Sequence, residues 1–312
     1  MTSTRQDQRS LRLRAPFAAL AALALVPLSA CGAAGDATTA SAKATATTVP
    51  AAQRNDQAFQ ALEKRYDARL GVWALDTGTG KVVAWRADER FAYASTSKVP
   101  IVGTVLRQDS IKRLDHVVKY TTADLVTYSP VTEKHVATGM TIRELCDAAL
   151  RFSDNTAANL LFREIGGPSG LGAALRRIGD RTSHVDRVEP DLNSAVPGDI
   201  RDTSTPRQFG TDLRAYTLGH VLPTPKRDLL IDWMRRNTTG DKVIRAGVPD
   251  GWTVGDKTGT GSYGTRNDIA VAWPPHRAPI VIAVLTTHAA KEAATSDDLV
   301  RDAAKAVVDR LT

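Results

Sequence analysis

Ser95-Thr96-Ser97-Lys98-Val99-Pro100-Ile101-Val102 is the stretch on which the fold turns, because strand-like sequence ends there and an apolar helical run through Val105 and Leu106 begins. Upstream, Leu70 to Ala74 and Lys81 to Trp85 are rich in Val and Trp and flank Asp76-Thr77-Gly78-Thr79-Gly80, which predicts a hairpin. Downstream the pattern stays helical to about Asn237. Thr141-Ile142-Arg143-Glu144 reads as a capping box before Leu145, Ala148, Ala149 and Phe152, and Thr205-Pro206-Arg207-Gln208 as another before Phe209, Leu213 and Tyr216. Thr224-Pro225 opens a third helix carrying Leu229, Leu230, Trp233 and Met234. Strand-like sequence returns at Trp252 to Lys257, Ile269 to Trp273 and Ile280 to Thr286, and Ser296 caps a closing helix with Val300, Ala304, Val307 and Leu311 on one face. Strands at both ends around a helical middle predict an α+β fold: an antiparallel sheet with terminal helices against it, an inserted helical subdomain, and a cleft where the two join. The expected boundaries are 53–94 with 235–312 for the sheet subdomain and 95–234 for the helical one.

The composition fits a globular protein. Of 312 residues, 42% are hydrophobic and 24% charged, which excludes collagenous, wholly disordered and polytopic membrane classes. The net charge of +7 is drawn in good part from Arg5, Arg9, Arg12 and Arg14, and the remaining basicity is spread thinly, which argues against a nucleic-acid partner. Cys31 and Cys146 cannot make a disulfide scaffold, and the six histidines form no metal-binding pattern, so neither metal nor organic cofactor is expected.

The N-terminus reads as an export signal. Arg5 to Arg14 is a basic region, Pro16 to Leu28 is an apolar stretch too short to span a bilayer, and Leu28-Ser29-Ala30-Cys31 follows. That tetrapeptide resembles the bacterial lipobox, which would make Cys31 a lipidated mature N-terminus; the other reading is an ordinary secretory peptide cut near Ala30 or Ala34. Either way the chain is expected outside the cytoplasm, as a monomer touching membrane only through the lipid on Cys31. Residues 31–52, rich in Ala and Thr and nearly uncharged, are expected to be a flexible tether.

Three short polar segments could carry chemistry. A helix starting near Ser95 puts the Lys98 amine within reach of the Ser95 hydroxyl, and its N-terminus offers N–H groups for an oxyanion. Taken alone, Ser95 reads as a helix cap and Lys98 as a solvated first-turn charge. In Ser153-Asp154-Asn155, Ser153 could relay a proton and the Asn155 amide could bind a carbonyl, or the segment is only a cap centred on Asp154. Lys257-Thr258-Gly259-Thr260 ends a strand with an ammonium and two hydroxyls, suited to a carboxylate, or it is a polar edge strand protected by lysine. Gly259-x-Gly261-x-x-Gly264 matches a dinucleotide fingerprint in letters only, because a strand and not a helix follows it.

Together, and in this order, the three segments resemble the active-site serine penicillin-recognising enzymes. The resemblance runs from about Gln57 to Thr312, takes in Tyr128-Ser129-Pro130-Val131-Thr132, and points to the class A serine β-lactamases. It implies that family's five-stranded sheet and a β-lactam substrate. It also implies a Ser95 nucleophile with Lys98 or Glu189 as acylation base, and Ser153 as proton donor to the leaving nitrogen. Glu189-Pro190-Asp191-Leu192-Asn193 looks like the family's Glu-x-x-Leu-Asn element on an omega-shaped loop, about 184–202, where Glu189 and Asn193 direct the hydrolytic water. A carboxylate base of this kind contributes roughly two to four powers of ten. Arg187 and Asp202 match the pair that closes the loop's neck. Asn155, Tyr128, Lys257, Thr258, Gly259, Thr260 and Arg266 match the substrate-binding positions. Acylation alone is shared with D,D-peptidases, transpeptidases and β-lactam sensors; the Glu189 to Asn193 element separates a hydrolase from them. Val102 stands where some relatives carry a partner for Cys146, which is therefore expected to be a free, buried thiol. Ala94 and Gly261 occupy the places of the cysteine pair of one carbapenem-hydrolysing branch.

Overall fold

Strands from both ends of the chain meet in one antiparallel sheet. The computed structural model describes residues 51–312; the export segment, Cys31 and the tether up to residue 50 lie outside the described residues. Strands β1 (Arg69–Asp76), β2 (Val82–Trp85), β3 (Thr253–Thr260), β4 (Arg266–Trp273) and β5 (Ile280–Thr287) lie in the order β2-β1-β5-β4-β3. The N-terminal hairpin is zipped to the C-terminal one by the β1–β5 pairing, from Arg69 opposite Thr287 to Asp76 opposite Ile280.

Both faces of the sheet are covered, so its central strands are apolar on both sides. The helical part is built from α2 (Lys98–Gln108), α3 (Ile142–Arg151), α4 (Asn155–Glu164), α5 (Gly167–Arg177), α6 (Pro206–Thr217) and α7 (Thr224–Arg235). Its core takes in Trp73, Ile269, Val271, Val281 and Ala283 from one face of the sheet. On the other face Val72, Ala74, Ala270, Ile282 and Val284 pack on α8 (Asp297–Leu311) through Val300, Ala304 and Val307, with Phe59 of α1 (Ala51–Tyr66). Each fully buried Leu, Ile or Val contributes roughly 1.5–3 kcal/mol, so this two-sided core is the main source of stability.

Local capping follows the expected chemistry with instructive departures. Thr141 and Glu144 close a reciprocal capping box on α3, and the Ser296 hydroxyl accepts the Leu299 N–H at the start of α8. Thr205 caps α6 through the Gln208 N–H, but the Gln208 side chain turns to Asp212 instead of back to the cap, so that box is only half made. The helix expected to start at Ser95 begins as a 3-10 turn, Ala94–Ser97, and becomes α-helical only at Lys98. Helix α1 starts at Ala51, inside the last two residues of the expected tether, consistent with the high helix propensity of alanine. Helix α5 has no counterpart in the sequence reading.

Candidate active site

The 3-10 turn carrying Ser95 is held against the end of β3. Gly259 permits this approach, since a Cβ there would lie 2.8 Å from the Tyr93 carbonyl oxygen and 3.2 Å from Thr96. The Thr96 hydroxyl donates to the Tyr93 carbonyl at 2.6 Å, fixing the turn from within. Ala94, Tyr128 and Ser153 all adopt positive φ (49°, 64° and 57°), a backbone region that costs non-glycine residues on the order of 1–3 kcal/mol each. All three belong to or adjoin the segments singled out in the sequence, and the surrounding structure must enforce them.

One polar cluster joins the three segments and the loop. Lys98, wholly buried, donates through Nζ to Ser95 Oγ at 2.6 Å, Asn155 Oδ1 at 2.7 Å, Glu189 Oε1 at 2.8 Å and the Ser153 carbonyl at 3.1 Å. Ser95 Oγ donates to Glu189 Oε1 at 3.1 Å. The other Glu189 oxygen, Oε2, accepts from the Asn193 amide at 2.5 Å. Burial pulls the Lys98 ammonium below its ordinary range, while the charge and hydrogen bond of Glu189 hold it up in part. A lysine beside a serine hydroxyl with a depressed pKa is suited to accept that proton.

The second lysine is not the edge-strand protection that its position on the outermost strand allowed. Lys257 is wholly buried and donates to Ser153 Oγ at 3.0 Å and to the Thr258 carbonyl at 2.8 Å. Burial, and then the nearby charge of Lys98, push it well below the ordinary lysine range. Ser153 Oγ thus lies between two amines, 3.4 Å from Lys98 Nζ. Asp154 does more than cap α4 through the Ala157 N–H: fully buried, it also accepts from the Val131 and Thr132 N–H groups and the Thr132 hydroxyl, tying the Tyr128 loop to α4. Asn155 joins in by donating to the Thr127 carbonyl at 2.9 Å and, through its backbone, to the Tyr128 carbonyl at 3.0 Å. The Tyr128 side chain itself is 57% exposed.

Arg266 lies across from Thr260 in the β3–β4 ladder and donates to its hydroxyl at 3.2 Å. It is anchored by Asp297 at 2.6 Å and by the Thr239 carbonyl at 3.3 Å. Thr239 Oγ1 and Thr258 Oγ1 share a 2.6 Å hydrogen bond. The loop neck is closed by Arg187 Nε on Asp202 Oδ2 at 2.5 Å; the fully buried Asp202 also accepts the Asp186 and Arg187 N–H groups and the Tyr93 hydroxyl.

Three contributors were not read from the sequence. Asn159 donates to the Glu189 carbonyl at 2.8 Å and accepts the Glu189 N–H at 2.9 Å, so one side chain grips both backbone groups of that residue. It stands four residues after Asn155, on the same face of α4, which is the one signal that could have exposed it. Thr239 and Asp297 orient Thr258 and Arg266 and carry no local mark. Cys146 is a free, buried thiol as expected. Among the described residues no group of His, Cys, Asp and Glu is arranged to hold a metal ion.

The family model described as "Beta-lactamase enzyme family" matches residues 54–311. A protein from Bacillus amyloliquefaciens named "Beta-lactamase" is 56% identical over 274 residues, covering 88% of this chain and 90% of its own. Another of that name from Amycolatopsis lactamdurans is 59% identical over 256 residues, covering 82% and 85%. The crystal structure of a class A beta-lactamase from Clostridium kluyveri is 53% identical with a TM-score of 0.82, covering 82% of this chain and 98% of that one.

Proposed function

Since the chain belongs to the beta-lactamase enzyme family, and within it is a class A serine enzyme that hydrolyses β-lactam antibiotics, we propose how its residues divide that work. Ser95 attacks the lactam carbonyl, whose oxygen is received by the backbone N–H groups of Ser95 and Thr260. Lys98, or Glu189 through water, takes the hydroxyl proton. Ser153 gives a proton to the departing nitrogen, drawing on the amines of Lys98 and Lys257 on either side of it. Glu189 and Asn193 then direct water at the ester, and the ring-opened acid leaves. Lys257, Thr258, Thr260 and Arg266 receive the substrate carboxylate, Asn155 a substrate amide and Tyr128 the rim of the bound molecule, while Gly259 lets strand and turn close together.

One observation supports this division above the rest: the Glu189 carboxylate reaches both the Ser95 hydroxyl and the Asn193 amide, the arrangement that separates hydrolysis from mere acylation. Replacing Glu189 by alanine should leave a stable Ser95 adduct, visible by intact-protein mass spectrometry, with nitrocefin turnover reduced by roughly 10²–10⁴. Full turnover by that variant would overturn the role of Glu189, and turnover by Ser95→Ala that of Ser95.

Export, lipidation at Cys31 and a monomeric state are part of the same proposal. The motif Leu28-Ser29-Ala30-Cys31 supports the first two. Cys31→Ser should release activity from the cell fraction into the medium; unchanged cell association would exclude the lipid.

A further inference from the structure

A second cleft, with a volume of about 790 Å³, stands apart from the catalytic cluster: none of Ser95, Lys98, Glu189, Asn193 or Lys257 lines it. Its walls come from the end of α1, the short strand Phe91–Ala92 that pairs with Thr203–Ser204, residues 195–201 of the omega loop, and residues 287–289. The volume suits a small molecule, and its accessible apolar lining is Val196, Pro197 and Ile200, with Phe91 and Ala195 buried behind them. Val196 and Ile200 are large apolar side chains left 44% and 54% exposed.

The charges in the cleft are nearly all spoken for. Arg86 is held by Glu63 and Glu89, Arg69 by Glu89, and Arg201 by Asp199. Arg69 also lies over the Phe91 ring, 4.0 Å from its centroid. Arg90 differs. It is half-buried, its side chain donates to the Thr203 hydroxyl at 3.2 Å, and it has no carboxylate partner among the described residues. Asp67 also lacks an ion pair among the described residues, but it is exposed, where water screens it. A half-buried guanidinium beside an apolar floor, with most of its five donors unused, is complementary to a carboxylate attached to an apolar body.

We propose that this cleft binds a small amphiphilic carboxylate, its anionic head on Arg90 and its apolar body against Val196, Pro197 and Ile200. Residues 195–201 lie between Asn193 and the Asp202 neck, so the bound molecule bridges the Phe91–Ala92 strand and the loop that carries Glu189. It therefore stabilises the folded loop by an amount that grows with the logarithm of one plus the ratio of its free concentration to its Kd.

The test is a two-dimensional NMR titration of the whole chain with 4-phenylbutyrate, with 4-phenylbutan-1-ol and 4-phenylbutylamine as matched neutral and cationic probes. Saturable shifts are expected at Phe91, at residues 195–201 and at Thr287, with the acid binding about 10-fold more tightly than the alcohol. Arg90→Gln should erase that preference, and Ile200→Asn should weaken acid and alcohol alike; both variants should retain nitrocefin hydrolysis. No saturable shift at about 10 mM acid, a weak-ligand limit, would overturn the proposal. So would equal binding of acid and alcohol, tighter binding of the amine, or shifts confined to Lys257 and Arg266. None of these outcomes bears on the assignment of Ser95 and Glu189, which is read from turnover.

Discussion

Replacing Asn159 by alanine isolates the positioning of Glu189 from its chemistry. The substitution removes two hydrogen bonds, of 2.8 and 2.9 Å, that hold the backbone of Glu189 to α4, and it leaves the carboxylate itself in place. Each such bond contributes about 0.5–1.5 kcal/mol net, and a backbone N–H left without a partner in a part-buried setting adds a penalty of similar size. The total is about 2–3 kcal/mol, which at roughly 2–4 °C per kcal/mol for a chain of this size lowers Tm by about 5–10 °C. The catalytic effect is larger, because a base displaced by about 1 Å can lose a factor of about 10². Acylation should be less affected, since the Lys98 contact to Ser95 does not run through the loop backbone. Stopped-flow nitrocefin kinetics should therefore show a burst of about one equivalent followed by slow turnover, and the parent enzyme should show none. Asn159→Asp is the companion variant: it can still accept the Glu189 N–H but cannot donate to the carbonyl, and should fall between the two. A kcat within twofold of the parent, with Tm unchanged, would refute the clamp.

Removing the guanidinium in Arg187→Ala leaves Asp202 wholly buried but still bonded to two N–H groups and a tyrosine hydroxyl, so the loss should be about 2–3 kcal/mol, below that of a stripped buried charge; urea unfolding measures it, and a change under about 0.5 kcal/mol would contradict it. Thr239→Val deletes the hydroxyl bonded to Thr258 and keeps the carbonyl that holds Arg266, so KM should rise about fivefold with kcat nearly unchanged; steady-state kinetics that show kcat falling instead would refute a binding role. Asp212 is buried beside Asp180, and one oxygen of each has no hydrogen-bond partner among the described residues. Burial first, then the Asp180 charge, push the Asp212 carboxyl well above the carboxylate range. The folded state thus holds a proton that the unfolded chain gives up: the stability is fully present below the unfolded pKa and is lost as pH rises through the folded one. Asp212→Asn should therefore gain stability over the parent as pH rises above about 4, the unfolded carboxyl value. Parallel melting profiles for the two proteins would show that no proton is held.

The elements that could be read locally are those whose signals are local. Thr141 with Glu144, and Ser296 ahead of Leu299, announce helix starts through side chain to backbone bonds that need no tertiary partner. Helix α5 was hidden because Gly166-Gly167-Pro168-Ser169-Gly170 reads as a loop; tertiary burial of Leu171, Ala174 and Leu175 overrides that low propensity. Gln208 shows the converse, a box predicted from spacing that is left half open because buried Asp212 offers its side chain a better partner.

The site divides along the same line, and the division has a physical cause. Ser95, Lys98, Ser153, Glu189 and Lys257 were legible because their groupings are unusual in type and order. What no grouping discloses is that Lys98 and Lys257 are both excluded from water within one polar cluster. Two ammonium groups so placed are tolerable only if their pKa values fall or carboxylates accompany them, and both conditions hold: burial lowers each, while Glu189 bonds to Lys98 and Asp256, itself held by Arg245, acts on Lys257. The carboxylate that aims water is thus also a counter-charge for the buried lysine. Removing it changes the protonation of Lys98 as well as the hydrolysis step, because burial then acts on that amine with its nearest opposing charge gone.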